Sequence, residues 1–186
     1  MADDMLLRDA FEWASGIVHN VKQDQLDDST RCEGWTVRML LTHMIGAAQA
    51  FAAGVPVGVV SPQVDPTVDR CGDNPGATYD AAWPGVVDAW AVADPEAATE
   101  FPWGPTPNII ARQLLIMESA VHGSDLAAAT GQDPTIPVRL AEATSELTAI
   151  LYSDPANRGD DFAEAIAVWE SASASDRAIA FLGRQP

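Results

Sequence analysis

The strongest constraint on how this 186-residue chain can fold is a set of polar groups inside an apolar helix. Met117-Glu118-Ser119-Ala120-Val121-His122-Gly123-Ser124-Asp125-Leu126 places a carboxylate and an imidazole four residues apart. On a helix the two stack on one face, with Asp125 close by. That helix is predicted from about Asn108 to Thr130 and stops at Gly131. Ile109, Ile110, Leu114, Leu115, Met117, Val121 and Leu126 surround nearly its whole circumference. A helix apolar on all sides is central to its fold, so Glu118, His122 and Asp125 lie in the interior. Burying them without partners is costly. A divalent metal with one more ligand from elsewhere accounts for them; so does a Glu–His hydrogen bond in the core, or a pair lining a wet groove.

His43 is the candidate for the missing ligand. It belongs to a second predicted helix, N-capped by Thr36, that starts at Val37, runs to about Ala53 and stops near Gly54 and Pro56. His43 flanks the stripe of Val37, Leu40, Leu41, Met44, Ala48 and Phe51, so it points at least partly inward. By itself it reads as a core histidine bonded to a carbonyl. With Glu118 and His122 it makes two imidazole nitrogens and one carboxylate oxygen, the composition of a catalytic zinc site with an open position for water or substrate. Asp125 is then a candidate for orienting a ligand or a metal-bound water, or equally for capping a neighbouring turn.

The other elements frame these two. A first helix is predicted over 3–24, with Leu7, Ala10, Phe11, Ala14, Val18 and Val21 inward and His19 solvated on the opposite face. Residues 55–77, broken by Pro56, Pro62, Pro66 and Pro75, read as a loop able to cover a site. A third helix is expected from Thr78 to Val92, with Pro84 tolerated in its first two turns. Residues 94–108 form a second connection, in which Phe101-Pro102-Trp103-Gly104-Pro105 is an extended piece or a turn. Both connections are expected to wall the pocket. A fifth helix follows over 138–152, then strand or coil over 162–168, and a last helical turn or two over 176–182. The expected architecture is all-α: one domain over 1–186, a helical bundle with long crossover loops and a short irregular C-terminal tail.

Charge and cysteines narrow the function classes. Ten basic against 27 acidic residues give a net charge of −17, which repels nucleic acid and anionic membrane surfaces. Met39 to Val64 contains no charged residue and is long enough to span a membrane. His43, Gln49, Gly54 and Pro56 interrupt it and no basic cluster flanks it, so it reads as a buried helix followed by a loop. The chain opens on acidic Met1-Ala2-Asp3-Asp4, and Cys32 and Cys71 are too few for a disulfide framework. A reducing cytoplasm is the expected setting. Cys32, next to Arg31, reads as a small buried residue. The sequence has no GxGxxG, GxxxxGK[ST], GxSxG or HExxH pattern.

Cys32-Glu33-Gly34-Trp35-Thr36-Val37-Arg38 followed by Leu40-Leu41-Thr42-His43 resembles the start of the metal-bearing helix in the DinB-like superfamily, specifically its short actinobacterial members akin to the N-terminal domain of mycothiol-dependent maleylpyruvate isomerase. Glu118 to Ala127 with Ala129-Thr130-Gly131 looks like the second signature of that group, and Asp176 to Arg184 matches the tail of its short members. The resemblance runs from about residue 5 to the end. It implies a four-helix bundle binding a divalent metal, usually zinc, through His43, Glu118 and His122. It also implies a low-molecular-weight thiol such as mycothiol, activated for isomerisation or S-transfer on a small substrate. Two departures stand out. The isomerase carries an additional α/β domain for which these 186 residues have no room, and Ser124 stands where the signature commonly has Trp.

Three functions follow as expectations: a metal-dependent thiol transferase or isomerase; a non-enzymatic metal- or small-ligand-binding bundle, paired as a homodimer through one helical face; and a metal-free fold with a hydrogen-bonded polar core.

Overall fold

The computed structural model describes residues 2–154, 158 and 162–186, with residues 2–4 as backbone only. Its elements in order are α1 (Ala2–His19), α2 (Val37–Gly54), α3 (Pro75–Ala82), α4 (Pro84–Val92), β1 (Ala98–Phe101), β2 (Gly104–Pro107), α5 (Asn108–Ala129), α6 (Val138–Leu151) and α7 (Ala174–Phe181).

Helix α5 packs against α1, α6 and α2, which is why apolar residues occupy almost its whole circumference. On one side Leu115, Ile116, Ala120 and Leu126 are buried with Leu7, Phe11, Leu40 and Leu41. On another, Met117 and Val121 are buried with Leu147 and Leu182. The close contact of α1 with α5 requires Gly123, where an added Cβ would lie 2.5 Å from Cζ3 of Trp13. Helix α2 begins as expected: the Thr36 hydroxyl accepts the Met39 N–H at 3.3 Å. By length and composition Val37–Val57 passes as a membrane span, yet 56% of its most apolar window is buried against the rest of the fold.

Three departures from the sequence expectation have local physical causes. The fold is mostly helical but not all-α, because β1 and β2 form an antiparallel hairpin with Phe101 paired to Gly104. Pro102, Pro105 and Pro107 deny this stretch the donors a helix needs, and Gly104 turns it at φ 114°. The Phe101 ring stacks on Trp103 at 4.8 Å and meets Phe51 of α2 at 5.7 Å, which docks the hairpin. Second, the expected helix over 78–92 is two helices meeting at Trp83. Pro84 opens α4 rather than continuing α3, and α3 starts earlier, capped by Asn74 accepting from Ala77 N–H at 3.1 Å. Third, α1 ends at His19 and not near residue 24, since the Asn20 amide turns back to donate to the Gly16 carbonyl at 2.9 Å. The tail follows expectation, with a two-turn helix close to the expected 176–182. Ser173 and Asp176 cap each other's backbone and start α7, which packs on α6, while residues 163–169 are irregular.

Candidate metal centre

Helix α2 supplies His43, and one face of α5 supplies Glu118, His122 and Asp125 at the spacing expected of that helix. Glu118 Oε2 lies 3.4 Å from His43 Nε2 and 3.2 Å from His122 Nε2. One donor atom from each of the three residues lies within 4.8 Å of the others. Zinc–nitrogen and zinc–oxygen bonds of about 2.0–2.1 Å in a tetrahedral sphere put adjacent donors roughly 3.3 Å apart. The donor set therefore fits a divalent ion; the same distances also serve a hydrogen-bonded His–Glu–His row. The two imidazoles meet edge to face at 5.0 Å, and Trp35 lies 5.2 Å from the His43 ring.

The other side of His122 faces a second group of polar atoms. Its Nδ1 is 3.4 Å from Asp125 Oδ2 and 3.9 Å from Cys32 Sγ. The Cys32 thiol donates to Asp125 Oδ2 at 3.5 Å. Asp125 has no solvent exposure, and Arg184 Nε donates to its two oxygens at 2.9 and 3.0 Å. Charges here are mutually compensating. Burial pushes the Glu118 carboxyl up, but the His122 charge and hydrogen bonds from both imidazoles hold it well below the carboxylate range. Burial pulls His122 down, but the Glu118 charge and contacts to Asp125 and Cys32 raise it well above 6.5. Burial likewise opposes ionisation of Asp125, and the His122 contact and Arg184 overcome it.

Beside the three donors is a cavity of about 20 Å³, lined also by Phe11, Met44, Tyr79 and Leu115. This is room for one water. Glu118 keeps 39% of its side chain exposed, so the site is reached from its edge.

All four residues singled out from the sequence thus converge. The expected loop walls do not: neither 55–77 nor 94–108 lines the cavity, whose walls come from α1, α2, α3 and α5. Residues 55–77 instead cover α2 where Val64 meets Gly46 and the buried Cys71 thiol meets Thr42. His19 is half-exposed but not simply solvated. Its Nε2 lies 2.7 Å from Asp80 Oδ2, and Ser15 donates to Asp80 Oδ1 at 2.6 Å, tying α1 to α3. Cys32 is only partly buried and sits at the site rather than in the core. Ser124 is buried and donates to the Pro134 carbonyl at 2.8 Å, away from the cavity. Arg184 was not legible as a site residue; the one available signal was that a buried Asp125 demands a cation.

The family profile for the mycothiol maleylpyruvate isomerase N-terminal domain matches residues 7–127, from α1 through nearly all of α5. The chain belongs to that family. The match contains His43, Glu118, His122 and Asp125 and stops short of Arg184. Two uncharacterised proteins from strains of Mycobacterium tuberculosis are 29% identical over 182 residues, spanning 95% of this chain and 93% of theirs. Among solved structures, the mycothiol-dependent maleylpyruvate isomerase is similar with a TM-score of 0.63 and 16% identity, over 82% of this chain and 70% of that one. A histidine-to-alanine mutant of that isomerase is similar at 0.62 and 17%, with the same coverage. At these identities the likeness is one of fold.

Proposed function

We propose that this member of the family is a zinc-dependent protein that activates a low-molecular-weight thiol, such as mycothiol, for S-transfer or isomerisation on a small electrophile. His43, Glu118 and His122 would hold the ion, on a four-helix bundle of α1, α2, α5 and α6 acting as one domain. The observation that carries this reading is the convergence of three donor atoms from two helices, at 3.2 and 3.4 Å, across 75 residues of sequence. When bound, a divalent ion would lower the pKa of a thiol sharing its coordination sphere, so that thiolate forms at neutral pH.

The chain's own residues divide the remaining work. With the ion bound, His43 and His122 would each offer it a ring nitrogen, and Glu118 would balance its charge. Asp125 holds the far nitrogen of His122 and so fixes the ring's orientation. The water-sized cavity has no room for a thiol cofactor, so that molecule would approach along the exposed Glu118 edge. Trp35, packed on His43, offers an apolar surface beside it. The family's description and the solved isomerase, both named for mycothiol, are the reason to place mycothiol first among thiols.

The same small cavity favours a second reading, a non-enzymatic metal- or small-ligand-binding protein. An assay of thiol conjugation to an electrophile, run with zinc-loaded and chelated protein, separates the two. A zinc-dependent rate with mycothiol or another small thiol supports the enzyme. The absence of a zinc-dependent rate with every thiol tried supports the binder.

A further inference from the structure

We infer that Arg184, on the C-terminal tail, is a positioning residue for the metal site, acting through Asp125 on His122. The inference rests on the metal reading above and extends it to a part of the chain outside the matched family profile.

Asp125 is completely buried, and a buried carboxylate needs a counter-charge or it protonates or swings away. Arg184 supplies that charge from 59 residues further along the chain, spanning both carboxylate oxygens with Nε. The guanidinium is held in place by the end of α7. The Arg184 N–H donates to the Ile179 carbonyl at 3.0 Å, and Gly183 makes the turn with φ 78° and its own bond to the Ala180 carbonyl at 3.0 Å. Nη1 reaches the Leu182 carbonyl at 3.5 Å, and the guanidinium lies 5.8 Å from the Phe162 ring centre.

Asp125 fixed this way faces only one nitrogen of His122. A neutral imidazole has one N–H and one lone pair. Donation from Nδ1 to Asp125 leaves the lone pair on Nε2, the nitrogen that faces Glu118 and, beyond it, His43. The Cys32 thiol donates to the same Asp125 oxygen and adds a second brace. Without Arg184 the carboxylate loses its anchor, and His122 loses the contact that selects its tautomer and ring angle. Docking of the tail and quality of the metal site are thereby one event.

The test compares wild type with Arg184→Gln, Arg184→Lys and Asp125→Asn. Zinc affinity is measured by competition with a chromogenic chelator, and coordination geometry by the visible bands of the cobalt-loaded protein. Arg184→Gln and Asp125→Asn are expected to weaken zinc binding about 10- to 100-fold and to shift the cobalt bands. Arg184→Lys, which keeps the charge but not the guanidinium, is expected to fall between them and wild type. If Arg184→Gln does not fold, the lysine and asparagine variants carry the same prediction. Wild-type affinity and an unchanged cobalt spectrum in the folded variants, even with a lower melting temperature, would make Arg184 merely structural and overturn the inference alone. Failure of wild type itself to bind zinc would overturn the metal reading and this inference with it.

Discussion

Between two imidazoles, Glu118 Oε2 serves as a metal ligand or as a hydrogen-bond acceptor, and charge separates the roles. Glu118→Gln keeps the shape and an acceptor oxygen but removes the anion. A ligand role predicts that it loses most zinc affinity, as His43→Ala does; a purely hydrogen-bonded role predicts little change in the metal content of purified protein. His122 sits between two carboxylates and binds its proton more tightly than a free histidine. Zinc must displace that proton, so apparent affinity should rise with pH until His122 is neutral, with proton release on binding. Calorimetry in buffers of different ionisation enthalpy would detect the release; binding independent of both buffer and pH would contradict it. Glu118, His122 and His43 were legible in the sequence because helical period sets their faces. Cys32 and Arg184 were not, since they meet Asp125 only through the path of a loop and a tail that no periodicity records.

At the scale of elements, the site depends on how closely α5 meets its neighbours. Gly123 follows His122 directly and lies beneath the Trp13 ring. Gly123→Ala gains helix propensity but forces a bulky ring away from α5. The expected outcome is a net loss of about 1–2 kcal/mol in denaturant unfolding, where an exposed helical glycine would instead gain stability. The Ser15–Asp80–His19 cluster joins α1 to α3. A hydrogen bond from Ser15, and then His19 and Trp83, hold the Asp80 carboxyl below its ordinary 3.8. A depressed carboxyl adds stability that is present above the ordinary value and lost as pH falls through the depressed one. Asp80→Ala should therefore cost about 1 kcal/mol at neutral pH, and the difference from wild type should shrink as the solution is acidified through the carboxylate range. A penalty independent of pH would count against this. The long helices were legible from their apolar stripes. At 101–105 an extended piece or turn was legible but its pairing into a hairpin was not, nor was the α3–α4 break, because proline excludes helix without saying which structure replaces it.

For the whole molecule, α5 is the central helix: it packs against α1, α2 and α6, with Asp125 fully inside, His122 mostly buried and Glu118 left at an exposed edge. A ligand that binds only the folded state raises stability by mass action. Zinc at about a hundred times its dissociation constant should add about 2.7 kcal/mol, raising the melting temperature of a domain this size by roughly 5–10 °C. The rise should be absent in His43→Ala. The most direct measurement is the zinc content of untagged protein from cells grown with added zinc. The metal reading predicts about one equivalent in wild type and almost none in His43→Ala or Glu118→Ala. Wild type with less than about a tenth of an equivalent, or either variant retaining its full complement, would contradict the metal site at the centre of this reading.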